Sequence, residues 1–176
     1  MLFLKRFFNF CNNSILWKKR KCYNLQVENI MKNNKIIIGS DHAGFNLKNS
    51  IIKYLTENNY EIDDIGCHST DAIDYPIIAK QLAKKISNNE YEKGILICGS
   101  GIGMSIAANK VKGVRAVVCS DTTSAKFSRL HNNANVLCLG ERIIGEYLAK
   151  DICNIWLNTQ FEEARHAKRV SMLEEN

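Results

Sequence analysis

From Lys35 onward, short apolar runs alternate with stretches of helical periodicity, and this alternation constrains the fold more than any other feature of the chain. The runs are Lys35–Gly39 (KIIIG), Tyr60–Ile65, Gly94–Cys98 (GILIC), Val114–Cys119 (VRAVVC) and Ala134–Leu139. Helical spacing fills Phe45–Asn58, Tyr75–Ser87, Met104–Lys110, Thr122–His131, Ile144–Leu157 and Glu162–Leu173. Strands that are apolar throughout are buried on both faces, so the connecting helices must cover both sides of a parallel sheet. The pattern therefore predicts a three-layer, Rossmann-like α/β domain with a five-stranded parallel sheet over residues 35–176.

Charge separates this domain from what precedes it. Residues 1–30 hold six Lys/Arg against Glu28 alone, a balance of +5, and the other 146 residues carry only +1 of the overall +6. The basic balance thus describes the first residues and not the domain, which excludes a nucleic-acid surface as the first reading. Residues 1–34 mix bases with Phe3, Phe7, Phe8, Phe10, Trp17 and Tyr23. That composition fits an organelle-targeting peptide, a solvated extension, or sequence upstream of a true start at Met31. The compartment is accordingly cytoplasmic, or an organelle if the extension is an address. No apolar run reaches the ~18–20 residues of a membrane span. The seven cysteines (Cys11, Cys22, Cys67, Cys98, Cys119, Cys138, Cys153) form no CxxC pair. Reduced thiols are expected, with no disulfide framework and no metal or other cofactor.

In open parallel sheets, ligands bind beyond the carboxyl ends of the strands. There the sequence offers Ser40-Asp41-His42, Cys98-Gly99-Ser100, Ser120-Asp121 and Gly140-Glu141-Arg142, the first two being the most chemical. Gly99, Gly101 and Gly103 alternate at a strand-to-helix turn, so backbone amides can converge on a phosphate or a developing oxyanion. The spacing is neither GxGxxG nor a Walker loop. Cys98, just ahead of these glycines, reads either as an activated thiolate or as a small buried core thiol. Cys119 and Cys138 read as core. His131, with Asn132, ends a helix, where it is a dipole cap or a functional group. Arg165 and Arg169 share a helix face, suited to a phosphate or to pairing with Glu162 and Glu163.

SDHAGFNLK (40–48), TDAIDYP (70–76), CGSGIGMSIAANK (98–110), RAVVCS (115–120), SRLHNNANVLCLG (128–140) and RHAKRV (165–170) occur in this order. Together they resemble the type B ribose 5-phosphate isomerase family, the branch that includes galactose 6-phosphate isomerase subunits, across about Lys35 to Leu173. The resemblance implies interconversion of ribose 5-phosphate and ribulose 5-phosphate through a cis-enediolate, in the non-oxidative branch of the pentose phosphate pathway. Cys98 would be the base moving the proton between C1 and C2. Ser100 would shuttle the proton between the oxygens, and the amides of Gly99, Gly101, Ile102 and Gly103 would hold the enediolate. His131 would open the furanose ring, with Asn132 beside the sugar. Asp41, His42 and Tyr75 would line the sugar, and Arg165 and Arg169, with His42 nearby, would hold the phosphate. A homodimer or its tetramer, with sites shared between subunits, is implied as well. The alternatives are an isomerase of a hexose phosphate, such as allose 6-phosphate or galactose 6-phosphate, and a non-catalytic nucleotide- or flavin-binding module.

Overall fold

β-Branched runs such as Ile36–Ile38 pack well on a pleated surface. In the computed structural model, which describes residues 34–174, all five runs form strands. The order is β1 (Lys35–Ser40), α1 (Phe45–Glu57), β2 (Glu61–Asp64), α2 (Tyr75–Ser87), β3 (Lys93–Cys98), α3 (Ile102–Ala108), β4 (Ala116–Val118), α4 (Thr122–Asn132), β5 (Val136–Gly140), α5 (Glu146–Asn158) and α6 (Glu163–Met172). The strands lie in the order β2-β1-β3-β5-β4, and every pairing is parallel. The expected Rossmann-like class is what the chain adopts. The readings of the first 33 residues lie outside the described residues.

Period-two alternation divides the core into two layers. Ile36, Ile38, Ile95, Ile97, Leu137 and Leu139 face α1, α4 and α5, where they meet Leu47, Ile51, Ile152 and Trp156. Ile37, Leu96, Val136 and Cys138 face α2 and α3, meeting Leu82, Ile86, Met104 and Ala108. Each fully buried Ile or Leu contributes roughly 1.5–3 kcal/mol, so the two layers supply most of the drive for folding.

Of the boundaries that differ from the sequence reading, three have a clear local reason. β2 is the short edge strand EIDD, polar because one side has no neighbour. β4 has three residues, since the Arg115 amide donates to Asn135 Oδ1 at 2.8 Å before the ladder begins. α3 starts at Ile102 because Gly101, at φ +79°, ends the loop in a left-handed conformation that glycine reaches without strain. Among the described residues no helix is long and apolar enough to cross a membrane.

The chain leaves β1 toward β2 on one side and resumes with β3 on the other, so a topological switch point lies between β1 and β3. Lys48, fully buried on α1, braces this end. Its Nζ donates to both carboxylate oxygens of Asp64 and to the Cys67 carbonyl, each at 2.7 Å.

Candidate active site

The loops after β1 and β3 meet at the switch point, joined by the Asp41 amide donating to the Ile97 carbonyl at 3.2 Å. Asp41 is buried, and its Oδ1 accepts from the amides of Ala43 (2.9 Å) and Gly44 (3.1 Å). Burial pushes its carboxyl upward, against the lowering pull of the Ala43 amide, His42, the Gly44 amide and Arg142. His42 is exposed, and its Nδ1 accepts from the Ile73 amide at 3.3 Å.

Cys98 is the last residue of β3 and is buried, as a core thiol would be. Its sulfur nevertheless has a polar partner: the Gly101 amide donates to Sγ at 3.0 Å. The expectation for the loop is adjusted accordingly. Of the amides assigned to an enediolate, Gly101 serves the thiol, and Ile102 donates to Ser100 Oγ at 3.3 Å. Glycine at 103 is dictated by Tyr75, whose ring atoms would stand 2.8 Å from a Cβ there. Tyr75, 40% exposed, thus lies against the glycine loop.

The remaining residues sit elsewhere. α4 runs back beside the sheet, so His131 and Asn132 lie at the amino ends of β4 and β5, where the Asn135 amide donates to the Arg115 carbonyl. Cys98 is in register with Gly140, at the opposite end of β5. Five residues of strand at ~3.3 Å each separate the two ends by about 16 Å. Within one chain, therefore, His131, Asn132, Arg165 and Arg169 do not join Cys98, and the arginine pair is not near His42. The carboxyl-end rule located only part of the expected set.

At this second end the Glu162 amide donates to the Leu130 carbonyl at 2.9 Å, setting α6 against the end of α4. The His131 ring stacks on Phe127 and on His166. A cleft of about 300 Å³ is lined by His131, Asn132, His166, Arg169, Val170 and Leu173. Arg165 and Arg169 are exposed and, among the described residues, form no ion pair with Glu162 or Glu163. A larger cleft of about 480 Å³ holds, of the expected residues, only Asn132, and the Glu174 carboxylate already meets Arg115 there at 2.8 Å.

The donor atoms of His131, Glu162 and His166 lie within 4.8 Å of one another. Imidazole lone pairs point in the ring plane, and these planes are 13° from parallel with centroids 4.4 Å apart. A cation in the plane of one ring would stand well out of the plane of the other, so the stacked arrangement does not fit a metal.

Two residues given no role from the sequence emerge here. Arg142 follows β5 and lies over Gly99, with Cδ 3.5 Å from where a Cβ would be. Its only sequence signal was its place at a strand's carboxyl end. His166 is buried against His131, and nothing local to RHAKRV marks that partnership. The other thiols read as core: burial pushes Cys119 up to about 11 and Cys153 to about 12, and raises Cys138 well above its ordinary value. All five described cysteines are free.

Residues 36–173 match a family model described as Ribose/Galactose Isomerase. The chain is 49% identical over 139 residues to "Ribose-5-phosphate isomerase B" of Escherichia coli (strain K12), covering 79% of this chain and 93% of the relative. A solved structure from Clostridium thermocellum, titled as ribose-5-phosphate isomerase B, superposes with TM-score 0.78 at 48% identity, covering 80% of this chain and 95% of that one. Another, from Mycoplasma genitalium and titled as ribose-5-phosphate isomerase B with bound ribulose-5-phosphate, gives 0.76 at 40% identity, covering 79% and 93%.

Proposed function

This chain belongs to the ribose/galactose isomerase family, and from that premise we propose that it is an aldose–ketose isomerase interconverting ribose 5-phosphate and ribulose 5-phosphate. The observation that carries the reading is the Cys98 sulfur at a strand tip, with the Gly101 amide 3.0 Å away and the glycine loop beside it. Moving a proton between adjacent carbons needs a base and a means of holding an enediolate oxygen. Cys98 takes the C2 proton of the open-chain aldose and returns it to C1. Ser100 moves the proton between O1 and O2, and loop amides not engaged by Sγ or Oγ hold the negative charge. Asp41, His42, Tyr75 and Asn132 line the sugar.

His131 opens the furanose ring, and Arg165 and Arg169 hold the phosphate. Their separation from Cys98 by the length of β5 supports a site completed by a second copy, hence a homodimer or a tetramer built from it. Ile102 and Ile106, one turn apart on α3 and 55% and 57% exposed, offer an apolar face beside the glycine loop for such a copy to cover. Residues 35–176 form the isomerase domain. Residues 1–34 are an extension whose basic, acid-poor composition suits an organelle address.

A coupled assay of the full chain on ribose 5-phosphate, with allose 6-phosphate in parallel, tests the activity. Pentose turnover that disappears in Cys98→Ala is the expected result. Turnover of the hexose alone would change the substrate, and a folded chain inactive on both would end the isomerase reading.

A further inference from the structure

His131 is held between two flat faces. Phe127, one turn earlier on α4, stacks with ring centroids 4.9 Å apart and planes 14° apart. His166 of α6 stacks at 4.4 Å and 13°. The two imidazoles are not equivalent. His166 is 5% exposed, whereas His131 is half-buried. Arg165 Nε–H donates to His166 Nε2 at 3.4 Å. A guanidinium keeps its protons throughout the working range, so Nε2 must carry the lone pair, and the ring's own proton sits on Nδ1.

We propose that His166 is a positioning residue for the ring-opening acid/base: a neutral imidazole plate that fixes the plane of His131 and leaves His131 as the one ring of the pair that exchanges a proton. This rests on the role given to His131 above. Two imidazolium rings face to face would repel, so the pair favours one charge at most. The charged groups facing the pair come from α6 and its start. Burial lowers the pKa of His166 most, and His131, Arg165 and Arg169 lower it further, against Glu162, which raises it. From α4 the stack receives only the apolar Phe127, and the rest of the cleft is Asn132, Val170 and Leu173. With both ring faces covered, only the in-plane nitrogens of His131 can meet a sugar oxygen, which is the geometry that ring opening needs. Displacements of ~1 Å in such groups cost up to about 10²-fold in rate.

Long-range ¹H–¹⁵N spectra of the full chain between pH 5 and 8, assigned with His131→Asn and His166→Phe, read the tautomer without substrate. The Nδ1–H form of His166, charging only below the ordinary imidazole value, is expected; a ring that charges at or above that value overturns the proposal. Kinetics supply the second arm. Ribose 5-phosphate is largely a furanose, whereas ribulose 5-phosphate has no free O5 with which to close one. His166→Phe keeps a plate and should stay within about twofold of the parent on both sugars. His166→Ala should lose about tenfold or more in kcat with ribose 5-phosphate and under about twofold in kcat with ribulose 5-phosphate, while kcat/KM falls alike in both directions because the equilibrium constant is fixed. Equal losses of kcat on both, or a Phe variant as impaired as the Ala variant, would overturn it. A parent chain inactive on both sugars would overturn the isomerase reading while the spectra still judge the state of His166, so the two failures remain distinct.

Discussion

The two ends of the sheet are built differently. At the carboxyl end, backbone groups tie the loops after β3 and β5 together: Glu141 N donates to Cys98 O at 2.9 Å, Arg142 N to Gly99 O at 3.0 Å, and Gly101 N to the thiol itself. At the amino end the groups ride on the last turn of α4 and on α6, joined by ring stacking and ending in exposed arginines. Under the roles proposed above, the contrast follows the tolerance of each task. Taking a proton from carbon needs a base and an anion nest held to fractions of an ångström. Capturing a phosphate dianion relies on charge, which falls off slowly with distance, so long side chains on a helix face suffice.

The comparison can be broken most directly at Cys98. Cys98→Ala should lose ~10³-fold or more in turnover with the fold intact by circular dichroism; near-normal turnover would remove the carboxyl end from the chemistry. Mixing Cys98→Ala with His131→Asn through reversible unfolding tests whether the two ends serve one site. If subunits share sites, half the dimers are hybrids, each with one complete site, and about a quarter of parental activity returns. No recovery would confine the site to one chain. Arg169→Ala should raise KM for ribose 5-phosphate about tenfold with a smaller change in kcat, as expected on losing one charge-assisted phosphate contact. An unchanged KM would remove Arg169 from the phosphate.

The smallest effect concerns stability at the amino end. Lys93 begins β3, buried with Nζ on the Leu157 carbonyl, and burial with nearby Arg129 lowers its pKa to about 8. Above pH 8 this lysine holds more protons in the unfolded chain than in the folded one, so its own contribution to stability rises with pH, by at most about 1 kcal/mol up to pH 9. From about pH 8 upward the raised thiols of Cys119, Cys138 and Cys153 pull the other way, because the unfolded thiols ionise there while the folded chain keeps their protons. Urea titrations at pH 8 and 9 should show the parent gaining up to about 1 kcal/mol relative to Lys93→Met over that interval; equal slopes would contradict it.

Much of this was legible in the residues. KIIIG, GILIC and NVLCLG read as buried parallel strands, because consecutive apolar residues fill both faces of each, and the strand-end rule led to Asp41 and Cys98. The edge strand β2 was harder to bound, since EIDD lacks an apolar run. The resemblance carried by six separated motifs implied the same chemistry that the family match supports.

Sequence alone determined the layers and the strand tips that carry Asp41 and Cys98, because each depends on neighbours in the chain and on a period of two or 3.6. Only the tertiary structure decided that Gly101 turns its amide to Cys98, that Arg142 lies over Gly99, and that His166 covers His131 from 35 positions away. It also decided that the expected residues fall at opposite ends of the sheet. Those facts depend on where helices end against one another, and no local pattern encodes a contact between side chains that meet only after the chain has folded.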